Sequence, residues 1–357
     1  MSILERLNPL RVIRAANSVS RLESLGEKLR DDQKAVTRQL RAITQRLEQL
    51  DQTLKRQENV LATLPALRAE VQQHATWCKV EASHADRLPA LRASLCEGNR
   101  LAAHAAAAVE RSRLELDPFP HVLIKGLLPD DACDELVGAL PSSVFFKKDV
   151  ERHQLQVPFV FAPGYSRLVW GIFFEQVVTR TLLPALTAKF GPQLDEFVAA
   201  RWPHLGSMAE AGIELHVANS RLLLRRPGYV IKPHRDPRWA FLTCLVYLAS
   251  REDVNVYGTQ LYRLRHEPQV THKSPLWIDP DQCELVKDVP AERNTALVFL
   301  NSTGAHGASI PSDAPPDTER YLYQVHFSVD GDTRRKLLDS LDGEERLSWV
   351  AKRGAAY

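Results

Sequence analysis

Apolar residues between about positions 20 and 64 recur with the spacing of a coiled coil. Intervals of four and three residues alternate along Val36, Leu40, Ile43, Leu47, Leu50, Leu54, Leu61 and Leu64. Gln57 occupies a polar position within this series, and charged and amide residues fill much of the remainder. Such a narrow seam predicts a long helix that pairs with a second copy of the chain or with a partner protein. A helix folded back on another helix of the same chain is the alternative.

Two prolines divide the rest of the N-terminal region. Because proline removes a backbone donor and clashes with the preceding turn, Pro65 and Pro89 predict breaks between helices. We therefore expect a second helix over about 66–85 and a third over 91–113, within a helical region spanning 1–113.

The pattern changes after residue 113. Pro118 and Pro120 mark a linker, and helices are expected over about 128–140 and 167–190. From Ile213 the chain becomes a series of short segments rich in β-branched, leucine and aromatic residues. The predicted strands are Arg221–Arg225, Tyr229–Pro233, Phe241–Leu248, Gln260–Leu264, Cys283–Val286, Thr295–Leu300 and Tyr321–Val329. Helices followed by many short strands predict an α+β fold, with a double-stranded β-helix (jelly roll) over 114–330 braced by helices, and a C-terminal helix in 331–357.

Composition narrows the classes of protein. The 357 residues carry a formal net charge of +2, which gives no reason to expect a nucleic-acid partner. The five cysteines include no CxxC pair and favour a reducing, cytoplasmic location. No apolar run approaches the roughly 20 residues of a transmembrane helix, so no transmembrane segment is expected.

Candidate chemistry begins at His234-Arg-Asp236, in a predicted extended segment. Residues i and i+2 of a strand share a face, so an imidazole and a carboxylate converge there as two of the ligands of a 2-His-1-carboxylate iron site. His306 follows the predicted strand Thr295–Leu300 and is the candidate third ligand. Arg320 opens the last predicted strand, where its guanidinium could pair with a carboxylate held inside the barrel.

Residues 117–329 resemble the Fe(II)/2-oxoglutarate-dependent dioxygenases, and specifically their prolyl-4-hydroxylase-like branch. The motifs that carry the resemblance are Pro118-Phe-Pro-His-Val-Leu-Ile-Lys-Gly-Leu-Leu-Pro129, the segment from Gly228 to His234, Thr243-Cys-Leu-Val-Tyr-Leu248, Tyr257-Gly-Thr-Gln-Leu261, Ala296-Leu-Val-Phe299, His306-Gly307 and Arg320.

The resemblance implies a role for each of these positions. Fe(II) would be held by His234, Asp236 and His306, and 2-oxoglutarate would be bound by Arg320 with Thr243 and Tyr247 beside it. The implied reaction uses O₂ to hydroxylate a substrate while 2-oxoglutarate becomes succinate and CO₂, with ascorbate as a candidate reductant. No catalytic residue beyond the metal ligands is predicted, and a protein side chain, a small metabolite and a glycan all remain open as substrates.

The sequence departs from the family pattern at three points. Arg225-Arg226 stands where relatives commonly have a tyrosine, Thr259 replaces the second glycine of a Gly-Gly turn, and the interval from His306 to Arg320 is long. Either Arg225 or Arg226 could contact the cosubstrate or an anionic substrate. Two alternatives therefore stay open, a coiled-coil scaffold with a non-catalytic barrel and a cupin-type metal enzyme that does not use 2-oxoglutarate.

Overall fold

The protein is described by a computed structural model. It describes residues 9–149, 152–156, 162–237, 239–248, 256–266, 276–301 and 303–341, together with 343 and 346. The chain forms two compact units, Met1–Val71 and Gln72–Tyr357. The domain boundary predicted between residues 113 and 114 does not coincide with this division, because Leu101, Ala105 and Val109 belong to the hydrophobic core of the second unit.

The helices follow one another along the chain as α1 Pro9–His84, α2 Leu88–Cys96, α3 Arg100–Arg111, α4 Asp130–Gly138, α5 Gly164–Ile172, α6 Leu183–Lys189, α7 Gly191–Arg201 and α8 Gly331–Asp339. A π-helical segment, Phe173–Leu182, joins α5 to α6. None of the helices in the described part of the chain is long and apolar enough to span a membrane.

One of the helix predictions was wrong. Pro65 lies inside α1 instead of ending a helix. Pro65 has no backbone N–H to donate to the carbonyl of Leu61, but Leu61 is 63% exposed, so water can solvate this turn. The predicted C-terminal helix is represented by α8, and residues 342, 344, 345 and 347–357 of its predicted range lie outside the described residues.

The strands are β1 Leu114–Glu115, β2 His121–Lys125, β3 Lys147–Asp149, β4 Arg152–Gln156, β5 His216–Arg225, β6 Val230–Arg235, β7 Leu242–Tyr247, β8 Thr259–Leu264, β9 Leu276–Trp277, β10 Cys283–Val289, β11 Thr295–Leu300, β12 Ala305–Ser309 and β13 Arg320–Ser328. A large sheet has the order β1-β2-β11-β7-β13-β5-β4-β3, and a small sheet has the order β10-β8-β12-β6-β9. The two antiparallel sheets confirm the predicted jelly roll braced by helices.

The central strands of the large sheet are buried on both faces. Tyr323 and Val325 of β13 belong to the core that includes the helices, whereas Leu322 faces the opposite way and packs with Leu245 of β7. This alternation follows from the two-residue period of a strand. It explains why every residue of β7 and β11 is buried and most are apolar, a pattern typical of strands covered on both sides. The face that is turned away from the helices lines the interior between the sheets.

Candidate metal and cosubstrate site

Three predicted ligands meet on the small sheet. His234 lies in β6, Asp236 follows directly after that strand, and His306 lies in β12. The antiparallel register of β6 and β12 sets His234 opposite His306, with their ring centroids 4.2 Å apart. The strand β12 has no counterpart among the predicted strands, because Ala-His-Gly-Ala-Ser lacks the bulky residues that favour strands.

The three side chains form a compact and buried set of donor atoms. One ligand atom from each residue lies within 4.8 Å of the other two. Asp236 Oδ1 is 3.9 Å from His234 Nε2, and Asp236 Oδ2 is 3.8 Å from His306 Nε2. All three residues are buried. Two imidazoles and one carboxylate on one side of a cavity are the donor set of non-haem iron sites that keep coordination positions open, so these residues fit such a metal.

Neighbouring groups orient the ligands. The Nδ1 of His234 is 2.8 Å from the carbonyl oxygen of Lys232, a contact that leaves Nε2 to face the other ligands. Thr243 Oγ1 donates a 2.6 Å hydrogen bond to Asp236 Oδ2. Asn301 Nδ2 donates to the backbone carbonyl of Asp236 at 2.8 Å and so fixes the chain where it leaves β6.

The protonation states suit metal binding. Burial alone would raise the pKa of Asp236, but the imidazoles of His306, His326 and His234 hold it well below its usual range. Burial, with the neighbouring His234, lowers the pKa of His306 to about 3. Asp236 is therefore a carboxylate and His306 a neutral imidazole at neutral pH, the forms in which both bind metals.

A cavity of about 80 Å³ that opens to solvent adjoins the ligands. Its lining residues are Gln154, Arg221, Leu223, Arg225, Tyr229, Ile231, His234, Asp236, Leu245, Thr259, His306, Gly307, Ala308, Arg320, Leu322 and Gln324. Arg320 is 3% exposed and donates from Nη2 to the carbonyl of Gly258 at 2.9 Å. Its Nε has no hydrogen-bond partner among the described residues. The cavity thus brings the metal ligands and a buried guanidinium into one space.

Thr243 and Tyr247 are buried next to residues that line the cavity. Neither is among the residues that line the cavity. Thr243 contacts Asp236, and the Tyr247 hydroxyl donates to Thr259 Oγ1 at 2.7 Å. Burial raises the pKa of Tyr247 to about 12, so its phenol keeps its proton. The Tyr247 ring centroid lies 5.8 Å from the guanidinium carbon of Arg320, so both Tyr247 and Thr259 adjoin that arginine.

The two arginines that depart from the family pattern lie in different surroundings. Arg225 is 8% exposed and lines the cavity, where it is the cross-strand neighbour of Arg320. Arg226 forms an ion pair with Glu319, and both side chains are 36% exposed. Of the two, only Arg225 faces the space next to the ligands.

Three further residues lie near the site. From the sequence, Asn301 and Gln154 were not assigned a role, and His326 was left open between lining the pocket and plain packing. His326 is buried with Nε2 3.6 Å from Asp236 Oδ2, Asn301 bonds the backbone next to Asp236, and Gln154 lines the cavity. The alternation of β13 carried a signal for His326, because Arg320 and His326 differ by an even number of residues and therefore share a face. Gln154 lies in a segment whose strand pattern is too short to recognise.

The chain was compared with known proteins. No family model matches it, and no curated protein does. Solved structures match part of it. A prolyl 4-hydroxylase from Phytophthora capsici is 16% identical, with a TM-score of 0.36 over 64% of this chain and 64% of its own length.

Two other matching structures have similar statistics. A prolyl hydroxylase from Trichoplax adhaerens, in complex with a hypoxia inducible factor peptide, is 13% identical with a TM-score of 0.38 over 70% of this chain and 96% of its own. HygX from Streptomyces hygroscopicus, with nickel, 2-oxoglutarate and hygromycin B bound, is 13% identical with a TM-score of 0.35 over 58% and 82%. The protein's own fold and side chains define a jelly roll with a candidate 2-His-1-carboxylate metal site.

Proposed function

We propose that the protein is an Fe(II)- and 2-oxoglutarate-dependent dioxygenase that hydroxylates its substrate. One observation carries the proposal: His234, Asp236 and His306 form a buried donor set on a cavity that also contains the buried guanidinium of Arg320. A cupin-type metal enzyme would need the three ligands but would have no use for a buried cation without a carboxylate partner. A non-catalytic barrel would need neither.

Fe(II) in this site would be held by Nε2 of both histidines and by the Asp236 carboxylate. Iron supplies the oxidation of a C–H bond by O₂, coupled to conversion of 2-oxoglutarate into succinate and CO₂. The chain itself keeps His306 neutral and Asp236 ionised, and it excludes water from the ligands by burying them. Thr243 keeps the carboxylate oriented through its hydrogen bond to Oδ2.

Arg320 would bind the far carboxylate of 2-oxoglutarate. A buried guanidinium is costly unless an anion compensates it, and a bidentate pair with a carboxylate does so with directional hydrogen bonds. Tyr247 and Thr259 support this role from beside the arginine, since Arg320 Nη2 lies 3.4 Å from Thr259 Oγ1. In this proposal Tyr247 positions the anchor, and Thr243 positions a metal ligand.

The test is succinate formation by the full chain supplied with Fe(II), 2-oxoglutarate and O₂, first without added substrate and then with a panel of metabolites and peptides. We expect slow uncoupled turnover that His234→Ala abolishes together with bound iron. Arg320→Gln should retain iron and raise the KM for 2-oxoglutarate by about tenfold or more, because a charge-assisted pair is lost. Iron binding without any 2-oxoglutarate turnover would favour the cupin-type alternative, and failure to bind iron would favour the scaffold.

The α1 seam supports a second part of the proposal, self-association. The eight seam residues from Val36 to Leu64 are 49–63% exposed. In the heptad they alternate between the a and d positions, which sets Arg46 at g and Asp51 at e. In a parallel pair, Arg46 of one helix faces Asp51 of the other, so opposite charges flank the seam. A second copy of the chain is therefore the partner we propose.

Ascorbate as reductant and a cytoplasmic location stay predictions.

A further inference from the structure

Two buried guanidiniums, rather than one, face the cavity. Arg225 of β5 and Arg320 of β13 are direct cross-strand neighbours, and both line the cavity. They are 8% and 3% exposed. Side chains that oppose each other across antiparallel strands have Cβ atoms about 5 Å apart, so two like charges are forced together here. Burial, and Arg225 among the neighbouring charges, lowers the pKa of Arg320.

In the described part of the chain, no carboxylate compensates either charge. Among the described residues, no carboxylate forms an ion pair with Arg225 or Arg320, whereas the adjacent Arg226 is paired with Glu319. The Nε of Arg225 and the Nε of Arg320 are both buried without a hydrogen-bond acceptor. Burying a cation whose hydrogen-bond donors are unused raises the free energy of the folded state. The site is therefore suited to binding anionic ligands.

The two guanidiniums donate to different backbone carbonyls. Arg225 Nη1 donates to the carbonyls of His153 at 2.9 Å and Leu224 at 3.2 Å, which turns the group towards β4. Its guanidinium carbon lies 4.9 Å from the centroid of the Tyr229 ring. Arg320 donates instead to the carbonyl of Gly258, beside the small sheet. Two guanidiniums held by separate acceptors are suited to two anions rather than to one shared carboxylate.

The charges of the lining residues support the same conclusion. The described lining includes three arginines and one acid, Asp236, which faces the metal ligands. 2-Oxoglutarate would bring two carboxylates, one for the metal and one for Arg320. Arg225 and Arg221 would then still give the cavity a positive wall on the β5 side. Arg221 is held there by the Gln324 side chain at 2.8 Å and the Gln154 side chain at 3.2 Å.

We infer that the substrate carries an anionic group, a carboxylate or a phosphate, and that Arg225 binds it while Arg320 binds the cosubstrate. This inference rests on the proposed function and assigns Arg225 to substrate specificity. Gln154 and Gln324 keep Arg221 on the same wall, where it adds a second cation for the anion. A neutral substrate would leave Arg225, which forms no ion pair among the described residues, without a counterion in a low-dielectric space.

The experiment uses the full chain loaded with Fe(II) and 2-oxoglutarate under anaerobic conditions. Inorganic phosphate and acetate are titrated separately by calorimetry into wild type, Arg225→Gln and Arg226→Gln. We expect one of the two anions to bind the wild type and Arg226→Gln alike. Its affinity should fall about tenfold or more in Arg225→Gln, since a charge-assisted hydrogen bond is lost. The anion that binds identifies the class of the substrate's charged group.

A second measurement separates the two roles of the arginines. The affinity for 2-oxoglutarate should stay within about twofold of wild type in Arg225→Gln and fall about tenfold or more in Arg320→Gln. An equal loss in both variants would mean that the arginines share the cosubstrate, and it would overturn the inference. Failure of both anions to bind the wild type would overturn it as well.

Two controls keep the result interpretable. Arg225→Lys retains the charge and should recover part of the anion affinity, which shows that a loss in Arg225→Gln is not caused by misfolding. Anion titrations are repeated with Fe(II) alone. If 2-oxoglutarate fails to bind the wild type, the proposed function fails, and this last titration still shows whether Arg225 binds an anion.

Discussion

Thr243 Oγ1 donates a 2.6 Å hydrogen bond to Oδ2 of Asp236 inside the barrel. Thr243 lies on β7, and its cross-strand neighbour His326 on β13 places Nε2 3.6 Å from the same oxygen. The large sheet therefore determines the orientation of a carboxylate that belongs to the small sheet. The position of the metal ligand depends on how the two sheets pack, in addition to the local geometry of His-x-Asp.

Replacement of Thr243 by valine should weaken metal binding without unfolding the protein. Valine preserves the shape but leaves Oδ2 without its hydroxyl donor, and partners of metal ligands contribute about 10- to 100-fold in metal affinity. Calorimetric titration with Fe(II), or with Mn(II) as its stand-in, measures this loss. Thr243→Ser keeps the hydroxyl and serves as the matched control. If the valine variant bound metal as tightly as wild type, the hydrogen bond would have no role in positioning Asp236.

The arrangement of His234, Asp236 and Arg320 along their strands could be predicted because it depends on short-range rules. His234 and Asp236 share a face through the two-residue period, and Arg320 begins a long strand with a clear apolar pattern. The mostly apolar sequences of β7 and β11 likewise made the central strands of the large sheet easy to locate.

Other features depend on register, which local sequence does not determine. The pairing of β7 with β13 determines which of Thr243 and Tyr247 lies near the candidate metal ligands. The sequence therefore did not predict that Thr243 contacts Asp236. The strand register was also needed to tell that Arg225 lines the cavity whereas Arg226 does not. Pro65 was misjudged for another reason, because an exposed helix can tolerate a proline that a buried helix would not.

Gly258 is predicted to be required for the position of Arg320. A Cβ at this residue would lie 1.6 Å from the carbonyl oxygen of Val289, so any side chain must move the backbone. The Gly258 carbonyl is also the acceptor for Arg320 Nη2 at 2.9 Å. Gly258→Ala should therefore lower the free energy of unfolding by about 1–3 kcal/mol, as overpacking does, and weaken 2-oxoglutarate binding by the folded protein.

The matched control is Gly171→Ala within α5, where a Cβ would have no neighbour within 4 Å. Alanine inside a helix should raise stability by about 0.5–1 kcal/mol and leave 2-oxoglutarate binding unchanged. Urea unfolding and calorimetry measure the two quantities. Equal behaviour of the two variants would show that the close approach at Gly258 is not what holds Arg320.

The contact between Glu115 and Lys287 predicts a pH-dependent contribution to stability. Lys287 Nζ donates to Glu115 Oε2 at 2.6 Å and joins β1 of the large sheet to β10 of the small sheet. This hydrogen bond lowers the pKa of Glu115 below its ordinary value of 4.5. A carboxyl with a depressed folded pKa stabilises the protein above its unfolded pKa, and the contribution is lost as the pH falls through the folded pKa.

Glu115→Gln should therefore be less stable than wild type at pH 7 by about 0.2–1 kcal/mol, the range for exposed ion pairs. The two proteins should converge towards equal stability as the pH falls below 4.5, since wild-type Glu115 then gains its proton. Urea unfolding across this pH range gives the comparison. A difference that persisted at the acid end would mean that the ionic interaction is not its source.

Self-association through the α1 seam predicts a specific sensitivity to charge. Leu47 and Leu54 occupy neighbouring a positions and are 61% and 57% exposed. Leu47→Lys with Leu54→Lys would bring four charges together at the axis of a parallel pair and should convert the oligomer to monomer. Gln45→Lys with Gln52→Lys adds the same charge at f positions on the outer side of the helix, so it should leave the oligomer intact.

Sedimentation equilibrium of the full chain measures the mass of each variant. A monomeric wild type, or an oligomer that survives lysine at both a positions, would exclude the seam as the site of self-association. Because the candidate metal site lies within the second unit, we expect the monomeric variant to retain the proposed uncoupled 2-oxoglutarate turnover.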